Sequence, residues 1–300
     1  MARGRSQPDQ GPQGIALVDK PAGWTSHDVV AKSRGLLGTR KVGHAGTLDP
    51  SATGLLVLGV GRSTKLLTFL SGSAKTYTGE AVLGVATASL DADGEVTGTW
   101  DMASVGLDAV RAAAAGLTGV IQQVPPMVSA KKVDGKRLHE LARAGIEVER
   151  AAVEVRVGRF DVGEPVASGV FPVEVECSSG TYVRSLVADL GTALGGGAHL
   201  RNLRRLTVGR FDVSEAATLE KLGSEQVLPP VAAFRGTDPV VAGDDLAADI
   251  RHGKVLPYEV LGAAEDDPGP WPVVDATGAL LAVYVPHRGP TAKPGVVLAG

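Results

Sequence analysis

The sequence predicts an α+β protein: a mixed, mainly antiparallel β-sheet domain with flanking helices, followed by a small β-barrel-like module. Three observations carry this. Alternating apolar segments that read as strands are interspersed with shorter segments of helical spacing along the first 235 residues. Gly, Pro and Asp clusters punctuate almost every one of them. Around 235–239 the composition turns acidic and Gly/Pro-rich while short strands continue, which marks a second unit at 236–300. A chain of 300 residues is long enough for both units to bury a core.

Residues 1–13 are rich in Gly, Pro, Gln and charge without apolar periodicity, so they read as a disordered leader to a domain spanning 14–235. Residues 14–18 form an apolar strand, Pro21-Ala22-Gly23 a turn, and Thr25 or Ser26 the cap of a helix whose Val29, Val30, Leu36 and Leu37 recur at helical spacing. Residues 38–51 hold three glycines and a proline, a loop that enters the apolar stretch 55–60. Residues 76–85 alternate as a strand, Asp91-Ala92-Asp93-Gly94 reads as a turn, and 103–117 as an alanine-rich helix. Residues 121–150 form a basic excursion: a Pro125-Pro126 start, a hairpin-type Asp134-Gly135 turn and a short helix at 138–144. Residues 153–162 and 170–177 alternate as strands, 178–181 turn, 182–194 run as a helix into three glycines, and 199–211 return to strand. In the second unit the strands fall near 272–275, 280–285 and 296–298.

Charge divides the chain as well. Residues 1–211 hold 24 Lys and Arg against 20 Asp and Glu, whereas residues 212–300 hold 6 against 13. Within the first part, residues 31–65 carry Lys32, Arg34, Arg40, Lys41, Arg62 and Lys65 against a single acid, Asp49, and residues 199–211 carry four arginines and no acid. Such clusters suit a polyanion, although they also suit plain solubilisation of helix faces. No apolar stretch approaches the roughly 20 residues of a membrane helix, and the single cysteine, Cys177, can form no internal disulfide. A cytoplasmic protein is expected.

Several motifs fall short of chemistry. The stretch Gly59-Val60-Gly61-Arg62-Ser63-Thr64-Lys65 lacks phosphate-loop spacing, and His139-Glu140-Leu141-Ala142-Arg143 lacks the second histidine of a zinc helix. Cys177, in line with Val173 and Val175, reads as a small hydrophobe. The loop Gly43-His44-Ala45-Gly46-Thr47-Leu48-Asp49-Pro50 differs: Asp49 is an isolated carboxylate among cations that would keep it ionised, in reach of nucleophilic chemistry. From these residues alone, Asp49-Pro50 could equally cap the following turn, and His44 could be structural. Arg184 stands in the first turn of its helix, the wrong end of the dipole for a cation, and so calls for a partner: Asp49, which it would fix and hold at low pKa, or Asp189 or Glu176.

Together these segments resemble the bacterial tRNA pseudouridine-55 synthases. The resemblance runs in order through Asp19-Lys20-Pro21 with Gly23 and Ser26, Gly43-His44 with Gly46-Thr47-Leu48-Asp49-Pro50 and Ala52-Thr53-Gly54, and Thr64-Lys65. It continues through Lys75-Thr76-Tyr77, Val124-Pro125-Pro126-Met127 with Ser129-Ala130, Gly180-Thr181-Tyr182-Val183-Arg184 with Asp189-Leu190-Gly191, and Gly197-Ala198-His199-Leu200 with Leu203-Arg204-Arg205-Leu206. The resemblance implies isomerisation of uridine 55 in the tRNA T-loop, with no metal or organic cofactor. It casts Asp49 as the catalytic aspartate, attacking either ribose or uracil ring, Arg184 as its partner and Tyr77 as the residue stacked on the target base. Tyr182 and Leu203 would line the uracil pocket, and His44 would help displace the base. Lys20 and Lys132 are the further expected substrate contacts, Lys132 within an insertion that grips RNA. The expected partner is the T-arm of tRNA, bound by a monomer. Two departures stand out: Val128 occupies a position where the family often has tyrosine, and the acidic C-terminal unit suits only a local RNA contact or a structural role. The competing readings are a noncatalytic tRNA-binding or folding-assistance protein and an N-glycosidase that releases the base.

Overall fold

One ten-stranded sheet organises residues 14–228 in this computed structural model, which describes residues 11–127, 148–264 and 266–298, with the backbone alone at 132–133 and 136–137. In chain order the strands are β1 (Gly14–Lys20), β2 (Val42–His44), β3 (Thr53–Val60), β4 (Lys75–Leu83), β5 (Val85–Thr87), β6 (Val96–Thr99) and β7 (Gly119–Gln123). There follow β8 (Lys132–Val133), β9 (Lys136–Arg137), β10 (Val153–Val162), β11 (Val170–Cys177), β12 (Ala198–Val208), β13 (Phe211–Asp212) and β14 (Val227–Leu228). The sheet runs β14-β1-β3-β12-β4-β11-β10-β7, with β2 paired to β3 and β13 to β12, while β5–β6 and β8–β9 are separate ribbons. Every pairing is antiparallel except β3 with β12, which are parallel, so the sheet is mixed.

Its faces follow from period-two alternation. On β1 and β3, Ala16, Val18, Leu56 and Leu58 pack with Val29 and Val30 of α1 (Ser26–Leu36). The intervening Ile15, Leu17, Leu55 and Val57 face the opposite way, into a core shared with Val274, Leu280 and Val283 of the C-terminal unit. Both faces are covered, which explains why these strands read as continuous apolar runs. After a 3₁₀ turn and α2 (Leu67–Ser71), β4 alternates strictly, and its inward Tyr77, Ala81 and Leu83 pack with helices α3 (Leu107–Gly116) and α4 (Val183–Ala193). Leu186 and Leu190 of α4 are fully buried there, and truncating either to alanine costs about 2 to 5 kcal/mol.

The expected helix at 103–117 begins later, because Gly106 takes extended backbone (φ −81°, ψ 161°) and caps α3, leaving 102–105 as a turn. The expected strand at 199–211 ends at Val208 and turns through Gly209, whose φ is +56°. Asn202, at φ +55°, makes a bulge within it: Arg201 opposes Glu80 and Arg204 opposes Thr78. Strands β8 and β9 pair antiparallel, Lys132 opposite Arg137 and Val133 opposite Lys136, while the turn expected at Asp134-Gly135 lies outside the described residues. The helix expected at 138–144, the departure at Val128 and residues 1–10 of the leader lie outside the described residues.

The C-terminal unit is a five-stranded sheet built from β15 (Val240–Val241), β16 (Leu256–Pro257), β17 (Trp271–Val274), β18 (Leu280–Pro286) and β19 (Thr291–Val297), in the order β15-β17-β18-β19-β16. It also contains α5 (Asp244–Arg251), which the sequence reading lacked. Part of the unit's acidity is spent on its own architecture. Asp244 and Asp245 sit in the first turn of α5, where the helix dipole favours them. Asp275 accepts from the backbone of Thr277 and Ala279 in the β17–β18 turn, and Asp267 accepts from the Gly269 backbone and the Trp271 indole.

Candidate active site

The loop between β2 and β3 is pinned from four directions. Ser26 Oγ accepts from the Leu48 backbone N–H at 2.8 Å, and the Gly23 N–H donates to the Pro50 carbonyl at 2.8 Å. Lys20 Nζ reaches the same Pro50 carbonyl at 3.1 Å. Buried Arg205, on β12, donates to the carbonyls of Leu55 (2.7 Å), Gly46 (3.2 Å) and Thr47 (3.4 Å). Gly54 stands at φ +100°, where a Cβ would fall 2.2 Å from the Arg205 carbonyl, so only glycine lets β3 approach β12 there. Asp49 is thus held at the tip of a rigid loop.

Arg184 arrives from the other side. After β11, a turn with Gly180 at φ +87° leads to Tyr182, the N-cap of α4. The buried Gln123 amide brackets this cap, accepting from the Tyr182 N–H at 2.8 Å and donating to its carbonyl at 3.1 Å. Arg184, 4% exposed, places Nε 3.0 Å from Asp49 Oδ2 and Nη1 3.4 Å from Asp91 Oδ2, and Nη1 donates to the Ser89 carbonyl at 2.7 Å. Asp49 is the partner that the helix-dipole argument called for. The sequence reading had Asp49 held at low pKa by its cations; the structure corrects the sign. Burial raises the Asp49 carboxyl above the ordinary value, Arg184 opposes that rise and the Asp91 charge adds to it. A carboxylate destabilised in this way is the more reactive nucleophile.

Asp49 and Arg184 form one wall of a cavity of about 290 Å³, near the low end of small-molecule sites. Tyr77, Tyr182 and Leu203 line it too, Leu203 beside the Asn202 bulge. Tyr77 lies opposite Val175 on β11 and Arg205 on β12, and burial raises its phenol, with Arg205 opposing.

Two expected contacts stand elsewhere. His44 does not line the cavity; it meets His27 edge-on with ring centroids 5.5 Å apart, and burial followed by the His27 and Arg205 charges lowers its pKa. Lys20 is fully buried with Nζ bonded to the carbonyls of Pro21, Trp24 and Pro50, so it clamps the Asp49 loop rather than facing a ligand. Desolvation takes its pKa down to about 8. The side chain of Lys132 lies outside the described residues.

The sequence reading missed Asp91, Lys75 and Arg205. Asp91 reads in sequence only as a turn former, yet in the loop between β5 and β6 it supplies Arg184 with a second carboxylate. Lys75 lines the cavity, donates to the Ser71 and Ser73 carbonyls, and is lowered by burial to about 8. The arginine cluster at 199–211 is largely committed within the protein: Arg201 pairs with Glu80, Arg204 forks onto Asp19 at 2.8 and 3.0 Å, and Arg205 is buried. Cys177 is buried with its thiol pushed up to about 11, an inert packing residue. Among the described residues, no group of three or more His, Cys, Asp or Glu is placed to hold a metal, and no helix is long and apolar enough to cross a membrane.

Comparison with known proteins adds an independent line. Residues 34–183 match the TruB family pseudouridylate synthase N-terminal domain, and residues 184–229 the tRNA pseudouridylate synthase B C-terminal domain. The two matches divide a single sheet, since β12 and β14 belong to the second. The chain is 46% identical over 299 residues to a tRNA pseudouridine synthase B of Arthrobacter sp. (strain FB24), covering 95% of this chain and 96% of the relative. It is 57% identical over 216 residues to that of Rhodococcus jostii (strain RHA1), covering 71% of each. Among solved structures, a Cbf5-Nop10-Gar1 complex matches with a TM-score of 0.72 at 25% identity, over 93% of this chain and 80% of the other.

Proposed function

Because the chain belongs to the TruB family of pseudouridylate synthases, we propose that it isomerises uridine 55 of the tRNA T-loop, with Asp49 as nucleophile. The activity itself, conversion of a tRNA uridine to pseudouridine, is that of its curated relatives. The C1′–N1 bond of the target breaks, the uracil turns within the cavity, C1′ bonds to C5, the C5 proton leaves and N1 gains one. Asp49 forms a transient bond to the ribose or to the ring and is released when the new bond is complete.

The geometric observation that carries this reading is the Arg184 Nε to Asp49 Oδ2 contact of 3.0 Å on the wall of a cavity also lined by Tyr77. Arg184 holds the carboxylate ionised against the cost of burial, and Asp91 fixes the guanidinium from its other edge. Because a stacked uridine hides its glycosidic bond, the nucleotide must swing out, and Tyr77 then replaces a lost neighbour, a stack worth about 1 to 3 kcal/mol. Tyr182 and Leu203 confine the base, and His44 acts outside the cavity, during displacement.

Incubating the protein with unmodified T-arm RNA and a chelator tests the proposal. Pseudouridine at the T-loop position is expected. Abasic RNA with free uracil as the main product would establish an N-glycosidase instead, and tight binding without any product would establish a noncatalytic binder.

A further inference from the structure

Trp24 is an exposed tryptophan on a rigid mount. The residue is 36% exposed, and Pro21, Ala22 and Gly23 before it are exposed as well. Its backbone is fixed to the catalytic loop. Lys20 Nζ binds its carbonyl at 2.5 Å and also holds Pro50, Gly23 N–H donates to Pro50, and the next residue, Thr25, closes a capping box with Asp28. Trp100, the other exposed tryptophan, has a packing reason for its place, since it covers Gly98 and Gly197 closely enough that a Cβ on either would collide with its ring. Trp24 lies one turn before exposed His27, whose ring meets His44, and α1 and the loop beyond it carry exposed Lys32, Arg34, Arg40 and Lys41. An exposed aromatic ring whose backbone is bonded to the Asp49 turn, on a segment that continues into a helix and loop bearing exposed cations, is the physical pattern of a stacking platform for unpaired nucleotides.

We propose that Trp24 forms a second RNA subsite, stacking on an unpaired base other than the target uridine. This rests on the proposed function, because it takes the RNA to be the one whose uridine reaches Asp49. The subsite acts on binding and leaves the chemical step to the cavity.

The test compares Trp24→Ala and Trp24→Phe with wild type on T-arm RNA, measuring equilibrium binding and the single-turnover rate at saturating RNA. Trp24→Ala is expected to weaken Kd by about 5- to 150-fold, the span for losing one base–aromatic stack, with Phe restoring most of it and the saturating rate kept. An unchanged Kd overturns the proposal, and so does a lost rate at unchanged Kd, which would mark a structural role. Should Trp24→Ala fail to fold, the fluorescence of Trp100→Phe protein decides, since Trp24 is then the exposed tryptophan and Trp271 is buried. Quenching by T-arm RNA is expected, and its absence overturns the proposal. If wild-type protein yields no pseudouridine, the proposed function fails first and separately.

Discussion

Replacing Arg184 with glutamine removes the positive charge between Asp49 and Asp91 while keeping a hydrogen-bonding side chain. The guanidinium is 4% exposed and lies 3.0 and 3.4 Å from the two carboxylates. Removing one member of a buried pair costs about 3 to 5 kcal/mol, and screening at Asp49, whose side chain is 37% exposed, reduces this to about 2 to 3 kcal/mol. At about 2 to 4 °C per kcal/mol, Tm falls by roughly 4 to 12 °C. Arg184 lowers the Asp49 pKa against burial, so its removal raises that pKa further and the acid limb of the rate–pH profile moves to higher pH. Misplacing the nucleophile lowers the rate by about 10²-fold or more. Single-turnover release of tritium from 5-³H-uridine in T-arm RNA reads the rate, and filter binding shows RNA affinity retained. Arg184→Lys keeps a charge but not the fork, so it shifts the acid limb less while still losing rate. A wild-type rate and an unmoved acid limb in Arg184→Gln would refute the reasoning.

Other substitutions test separate parts of the site. Asp91→Asn removes the like charge that raises the Asp49 pKa, so the acid limb should move to lower pH, the opposite direction from Arg184→Gln, in the same rate–pH assay. Tyr77→Ala removes the ring proposed to stack on the target base, so kcat/KM for T-arm RNA should drop at least about tenfold, alongside a Tm loss from a cavity in the core that Tyr77 shares with Leu186. Lys75, lowered to about 8 from 10.5, binds fewer protons folded than unfolded across that window. Its contribution to stability therefore rises with pH from 8 to 10.5, and denaturant midpoints of wild type relative to Lys75→Met should climb over that range. Gly54→Ala places a Cβ against the Arg205 carbonyl at a positive φ, and thermal melts should show a loss of about 1 to 3 kcal/mol or more.

Local patterns in the chain carried most of this architecture. The Thr25 cap, the alternation of β4 and the Gly180 turn into α4 are each decided by a few neighbouring residues, and each forms where its pattern places it. The Asp49–Arg184 pair was legible only as one option: a cation at a helix N-terminus calls for a carboxylate, and Asp49, Asp189 and Glu176 each offered one until the fold brought Asp49 to it. Long-range pairing was not legible. Nothing local says that β12 runs parallel to β3 on one side and antiparallel to β4 on the other, so Arg205 read as surface charge although it is buried between them. Lys20 misled in the same way, because a lysine whose three donors all meet carbonyls looks identical in sequence to one that faces RNA. The pKa of Asp49 went astray because charge is countable along a chain whereas desolvation depends on what folds over it.

The role of Asp49 is tested most directly by Asp49→Asn in single turnover on T-arm RNA, with binding measured on the same samples. The account predicts undiminished RNA binding and no pseudouridine above background. Pseudouridine formation at the wild-type rate by Asp49→Asn would contradict it.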